Sequence, residues 1–123
     1  MNKTRGEIED ELTKAIVQFE KEYFGRGPLE ARTYILHDMI LVRMHGILTP
    51  AEQKLAESRD GMLMVKDMRR QLFETSRPYL AELVRRITGC RLVSLHTDMS
   101  TGTGERIVVL VIENELDFET PTP

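Results

Sequence analysis

The sequence predicts an α+β fold in one domain: an N-terminal helix, a β-hairpin, a long broken helix and a second β-hairpin. The helices are expected on one face of a mostly antiparallel sheet. Three observations predict this. Apolar residues near the N-terminus recur every three or four positions, the signature of an amphipathic helix. Two pairs of segments rich in β-branched and apolar residues are each joined by a short polar stretch. Between them, positions 50–88 carry helix-forming composition with one strong start signal. A length of 123 residues suits a single core, with the domain expected over 1–114 and an acidic, disordered tail over 115–123.

The first helix is predicted from Thr4 to Phe24, with Ile8, Leu12, Ala15, Ile16, Phe19 and Tyr23 on its apolar stripe. Gly25-Arg26-Gly27-Pro28 ends it, since glycine suits the helix terminus and proline forbids continuation. Ala31–Leu36 and Met39–Ile47 then read as strands turning at His37-Asp38. Alternation puts Ile40, Val42 and Met44 on one face and Met39, Leu41, Arg43 and His45 on the other.

In Leu48-Thr49-Pro50-Ala51-Glu52, Thr49 can cap a helix, Pro50 suits its first position, and Glu52 completes a capping box. The helical stretch to Thr88 is too long for one rod in so small a domain. A break is expected at Arg59-Asp60-Gly61 and a kink at Pro78, and Met62, Val65, Met68, Leu72, Tyr79, Leu83 and Ile87 form a roughly heptad-like apolar stripe suited to self-association. The second hairpin is expected as Cys90–Thr97 and Arg106–Ile112 around a loop from Asp98 to Glu105. The run Ile107–Ile112 is apolar on both faces, as in a strand that is central or covered on both sides.

Composition excludes several function classes. A hydrophobic content of 41% rules out a disordered chain. A net charge of −3 argues against a general nucleic-acid or anionic-membrane binder. The basic run Arg69-Arg70, Arg77, Arg85-Arg86 is interleaved with Asp67, Glu74 and Glu82 and reads as surface ion pairs. One cysteine, Cys90, excludes an intrachain disulfide and points to a reducing, cytoplasmic compartment. No signal-peptide pattern or membrane-spanning run is visible, so any work at a membrane is expected through a partner.

Two sets of residues are candidates for binding. Strand phase can bring Arg32, Arg43, His45 and His96 to one sheet face, where planar guanidinium forks and imidazoles suit a small oxyanion. The alternative is a solvated face of unrelated polar residues. In the second hairpin, Thr101, Thr103 and Arg106 can contact an anion or a partner, although Thr101-Gly102-Thr103-Gly104-Glu105-Arg106 lacks the Lys-Ser/Thr of a phosphate loop. His37, His45 and His96 show no helical metal-ligand spacing. No metal, cofactor or catalytic residue is expected, and Cys90 reads as a small core residue.

Phe19-Glu20-Lys21-Glu22-Tyr23 with Gly25-Arg26-Gly27-Pro28, then Arg32-Thr33-Tyr34, Leu48-Thr49-Pro50-Ala51-Glu52, and Ser94-Leu95-His96-Thr97-Asp98 with Thr103-Gly104-Glu105-Arg106 form an ordered set. The set resembles the MpsC family over about residues 4–113. The resemblance implies association with a sodium-translocating, membrane-potential-generating system whose other components resemble a proton-pumping dehydrogenase subunit and an inorganic-carbon uptake subunit. It supplies no catalytic residues. The expected function is a non-enzymatic accessory or regulatory protein, homodimeric, docking on a membrane transport subunit. The alternatives are a small-oxyanion sensor or weak enzyme, and an RNA-associated module.

Overall fold

The computed structural model describes residues 3–120. Helix α1 (Arg5–Phe24) begins with a capping box: the Thr4 hydroxyl accepts from the Glu7 amide and the Glu7 carboxylate accepts from the Thr4 amide. It ends at Gly25, whose φ of 80° lies in the left-handed region that glycine occupies without penalty. Strands β1 (Glu30–Leu36) and β2 (Met39–His45) follow, then α2 (Pro50–Leu55), α3 (Arg59–Thr75) and α4 (Arg77–Thr88), and finally β3 (Leu92–Ser100) and β4 (Glu105–Ile112).

The long helical stretch is thus three helices. Thr49 and Glu52 cap α2 as a capping box, and Ser58 caps α3 through the Gly61 amide. The first break lies at residues 56–58, just ahead of Arg59-Asp60-Gly61. Gly61 sits inside the first turn of α3, where a Cβ would come within 1.8 Å of the Leu55 carbonyl oxygen. The second break falls at Ser76, with Pro78 in the first turn of α4 where its missing N–H costs nothing.

All four strands form one antiparallel sheet in the order β1-β2-β4-β3. β4 is an inner strand, as its apolar run demands, but only one of its faces is covered. The helical side packs on Thr33, Ile35, Ile40, Val42, Met44, Val108, Leu110 and Ile112, with Ile8, Leu12, Ile16 and Phe19 of α1 and Leu80, Leu83 and Val84 of α4 completing the core. The second hairpin is longer than expected: β3 runs through to Ser100, leaving a turn of only four residues.

The stripe of α3 also differs from the expected one. Gly61, Val65, Arg69 and Phe73 face inward at four-residue spacing, while Met68 is 45% exposed. After β4 the chain passes along the start of α1. Leu116 is buried, Phe118 packs at the core margin under the Arg5 guanidinium, and the Glu119 amide donates to the Lys3 carbonyl. The described part of the acidic segment thus touches the domain through Leu116, Phe118 and Glu119. Residues 121–123 of that tail, and Met1 and Asn2, lie outside the described residues.

Candidate functional site

The most unusual chemistry in this chain is a set of charges inside its core. Glu20 of α1, Arg69 of α3 and Arg106 of β4 are each about 1% exposed. Each lies in phase with a buried stripe. Glu20 follows Ile8, Leu12 and Ile16 at four-residue steps, Arg69 sits between Val65 and Phe73, and Arg106 precedes Val108 and Leu110 on the core face of its strand. Burying unpaired charge costs so much that such residues must find partners.

Arg69 finds most of its own. Its Nε and Nη2 donate to both oxygens of Glu52 at 2.7 and 2.6 Å, a bidentate pair, and Nη2 also donates to the Ile47 carbonyl at 2.9 Å. Arg106 Nε donates to the Thr97 hydroxyl at 3.2 Å. Aromatic rings complete the setting. Phe24 lies 4.6 Å from the Arg69 guanidinium and 5.1 Å from that of Arg106, and Phe73 lies 4.5 Å from Arg106 on ring centroids. Phe73 is itself fixed edge-on to Phe19, at 5.5 Å.

Glu20 is held differently. Its carboxylate is 3.9 Å from Arg69 Nη1 and 3.8 Å from Arg106 Nη1, close enough for charge attraction and too far for hydrogen bonds. Both Glu20 oxygens and both Nη1 atoms are buried without a hydrogen-bond partner in the structure. Burial pushes the Glu20 carboxyl above the usual carboxylate range, against the pull of Arg106 and Arg69. Burial likewise draws the Arg106 guanidinium down to about 10, with Glu20 opposing, so Arg106 stays protonated at neutral pH. Burial also works against the Glu52 charge, yet hydrogen bonds from Arg69 and the Thr49 amide hold its carboxyl below the usual range.

A cavity of about 240 Å³ opens beside this cluster, between α3 and the β3–β4 hairpin. Arg69 and Arg106 form part of its wall, Leu63 and Met99 supply apolar surface, and Lys66 and Arg70 add two further cations. Asp98 pairs with Lys66 at 3.5 Å, and Asp67 with Arg70 at 2.7 Å.

The residues singled out from strand phase occupy other places. Arg32, Arg43 and His45 share the open face of the sheet, and Arg32 is the cross-strand partner of Arg43. With Glu30 and Tyr34 they line a depression of about 50 Å³. Arg43 is bound to Glu105 at 2.8 Å, His45 lies 3.5 Å from the same carboxylate, and Arg32 is 4.0 Å from Glu30. Acids thus balance the bases there. His96 is on the same face but on β3, beyond β4, and contacts Ser94.

Thr101 and Thr103 lie in the β3–β4 turn, where the Thr103 hydroxyl accepts from the Glu105 amide. Arg106 parts company with them and points into the core. Arg69, expected among surface ion pairs, is instead buried and paired with Glu52 because its position falls on the inward line of α3; Glu52 was read only as a helix cap, and Glu20 carried no expected role. The available signal was a charged residue in register with an apolar stripe, which marks a buried ion cluster when it occurs on several elements. Among the described residues, no group of three or more His, Cys, Asp or Glu is placed to hold a metal ion, and no helix is long and apolar enough to cross a membrane.

The family described as "Na+-translocating membrane potential-generating system (MpsC)" matches residues 4–114. The uncharacterized protein YbcI of Bacillus subtilis is 45% identical over 117 residues, covering 95% of this chain and 94% of that protein. The uncharacterized protein YrhF of the same organism is 27% identical over 108 residues, covering 87% and 88% of the two chains. No solved structure matches.

Proposed function

The chain belongs to the MpsC family, and from that membership we propose that it is a non-catalytic accessory protein of a sodium-translocating, membrane-potential-generating system. In this reading it works in the cytoplasm as a homodimer and reaches the membrane by docking on a transport subunit.

The observation that supports the reading is the uncovered sheet face. Across β1, β2, β4 and β3 it presents the rows Leu36, Met39, Val111, Ser94 and Tyr34, Leu41, Val109, His96, then Arg32, Arg43, Ile107, Asp98. Tyr34, Leu36 and Met39 are each at least 40% exposed. A solvated antiparallel face normally carries polar residues, whereas an apolar block of this kind marks a contact surface. A second copy suits it. With a two-fold axis along the strands, β1 lies over the partner's β3, and Arg32 comes opposite the partner's Asp98. Because Glu30 and Glu105 already neutralise Arg32, Arg43 and His45, that corner serves the rim of an interface better than a free anion.

In the same reading the membrane subunit docks on α3. Met64 and Met68 are 62% and 45% exposed and sit one turn apart beside Leu72, and methionine surfaces adapt readily to a partner. The test is affinity purification of the tagged chain from membranes of its native host. Recovery of a membrane transport subunit with the parent chain, lost on Met64→Asp with Met68→Asp, is the expected result. A chain recovered without any membrane subunit rejects the docking role.

A further inference from the structure

We propose that α2 is a lid over the buried charge cluster, opening when the Arg69 guanidinium passes from Glu52 to Glu20. Nothing in this inference depends on the accessory role.

Three observations carry it. First, α2 contributes no buried residue to the core, so opening it exposes little apolar surface. Its hold on the core is polar: the Glu52 carboxylate, with a side chain 12% exposed, reaches in to Arg69. Second, Arg69 has two carboxylates within reach and bonds only one. Its Nε and Nη2 are taken by Glu52, while Nη1 sits 3.9 Å from Glu20 without a hydrogen-bond partner. Both Glu20 oxygens are buried and equally unpartnered. Unmade hydrogen bonds between buried charges are costly, so the closed state leaves a second ion pair ready to form. Third, the chain is anchored on either side of α2. Leu48 is buried with its carbonyl held by Arg26 at 3.0 Å, and the Leu55 carbonyl is seated against Gly61 of α3. Residues Thr49 to Lys54 can therefore unwind and lift Glu52 away without moving either anchor.

The cluster then has two arrangements. Closed, Arg69 is bidentate to Glu52 and Glu20 is held by charge alone. Open, Arg69 bonds Glu20, Glu52 faces water, and solvent reaches the guanidinium that Glu52 had covered. Glu20 sets how readily the lid opens, although it belongs to α1 and its oxygens bond nothing in the closed state.

The experiment is native-state hydrogen exchange of the full chain at pH 7, resolved by NMR. The reporters are the Gln53 and Ala56 amides, which donate to the Thr49 and Glu52 carbonyls of α2. Both should exchange about a hundredfold faster than the amides of Val108 and Leu110 in β4. Glu52→Gln keeps the cap, since glutamine also serves at that position, but loses the ion pair, and should speed both reporters about tenfold. Glu20→Gln removes the alternative partner and should slow them about threefold. A cluster with a single arrangement gives no such slowing from a change on α1. The proposal is overturned if the reporters in the parent exchange as slowly as the β4 amides. It is also overturned if Glu52→Gln leaves them unchanged, or if Glu20→Gln leaves them unchanged or speeds them.

Discussion

The Glu52 carboxylate closes the capping box of α2 and clamps the buried guanidinium of Arg69. Its Oε1 accepts from the Thr49 amide at 3.0 Å and from Arg69 Nη2 at 2.6 Å, while Oε2 accepts from Arg69 Nε at 2.7 Å. The start of one short helix is thereby tied to the charged centre of the core. The helix start signal at residues 49–52 and the placement of Arg69 are one device.

Thr49→Ala removes the acceptor for the Glu52 amide and leaves the Arg69 clamp in place. The expected cost is about 1 kcal/mol, or about 4 °C in melting temperature for a domain of this size. Differential scanning calorimetry measures it, and an unchanged transition would mean that the cap contributes nothing.

Gly61→Ala should be far more damaging than its helical position suggests. In an exposed helix the change gains helix propensity, but here the new methyl collides with the Leu55 carbonyl. A fall of about 10 °C or more, or loss of the cooperative transition, is expected. A stabilised variant would show that the α2–α3 junction is not as tight as 1.8 Å implies.

The two glutamates of the cluster should respond to pH in opposite senses. Glu52 has its folded pKa below the ordinary 4.5, so its contribution is present above 4.5 and is lost as pH falls through the lowered value. Glu20 has its folded pKa raised, so its ionisation opposes folding increasingly as pH climbs from 4.5 through the folded value. Glu52→Gln should lower the melting temperature at pH 7. Glu20→Gln should raise it at pH 7, with the gain fading toward pH 4. A Glu20→Gln variant that melts several degrees lower at neutral pH would show a net favourable ion pair.

Leu41→Lys puts a charge at the centre of the open sheet face, opposite Val109. The parent should sediment at twice its 14.2 kDa at micromolar concentration, and the variant at the mass of one chain with unchanged helix content. A parent of single-chain mass throughout would remove the second copy from the account.

Most of the fold was legible in the sequence because its signals were local. Thr4, Gly25, Thr49 and the His37-Asp38 turn act through their own backbone, and periodicity locates α1 and the strands without reference to anything distant. The breaks near 56–58 and at Ser76 were legible to within a few residues. The α3 stripe was not. Met62, Met68 and Leu72 outscore Gly61 and Arg69 on hydrophobicity, yet the inward line follows the close approach at Gly61 and the Arg69–Glu52 pair. The buried cluster escaped for the same reason. Its members lie 17 to 86 positions apart, and only the tertiary fold makes Glu20 and Arg106 neighbours. Arg106 was singled out for its proximity in sequence to Thr101 and Thr103, whereas its strand phase beside Val108 sends it inward.

The most direct measurement is the sodium-dependent membrane potential of the native host, read with a voltage-sensitive dye after deletion of the gene. The account predicts a potential that falls on deletion, returns with the parent chain, and does not return with the Met64→Asp, Met68→Asp variant expressed at the same level. A sodium-dependent potential that is unchanged by deletion would contradict it.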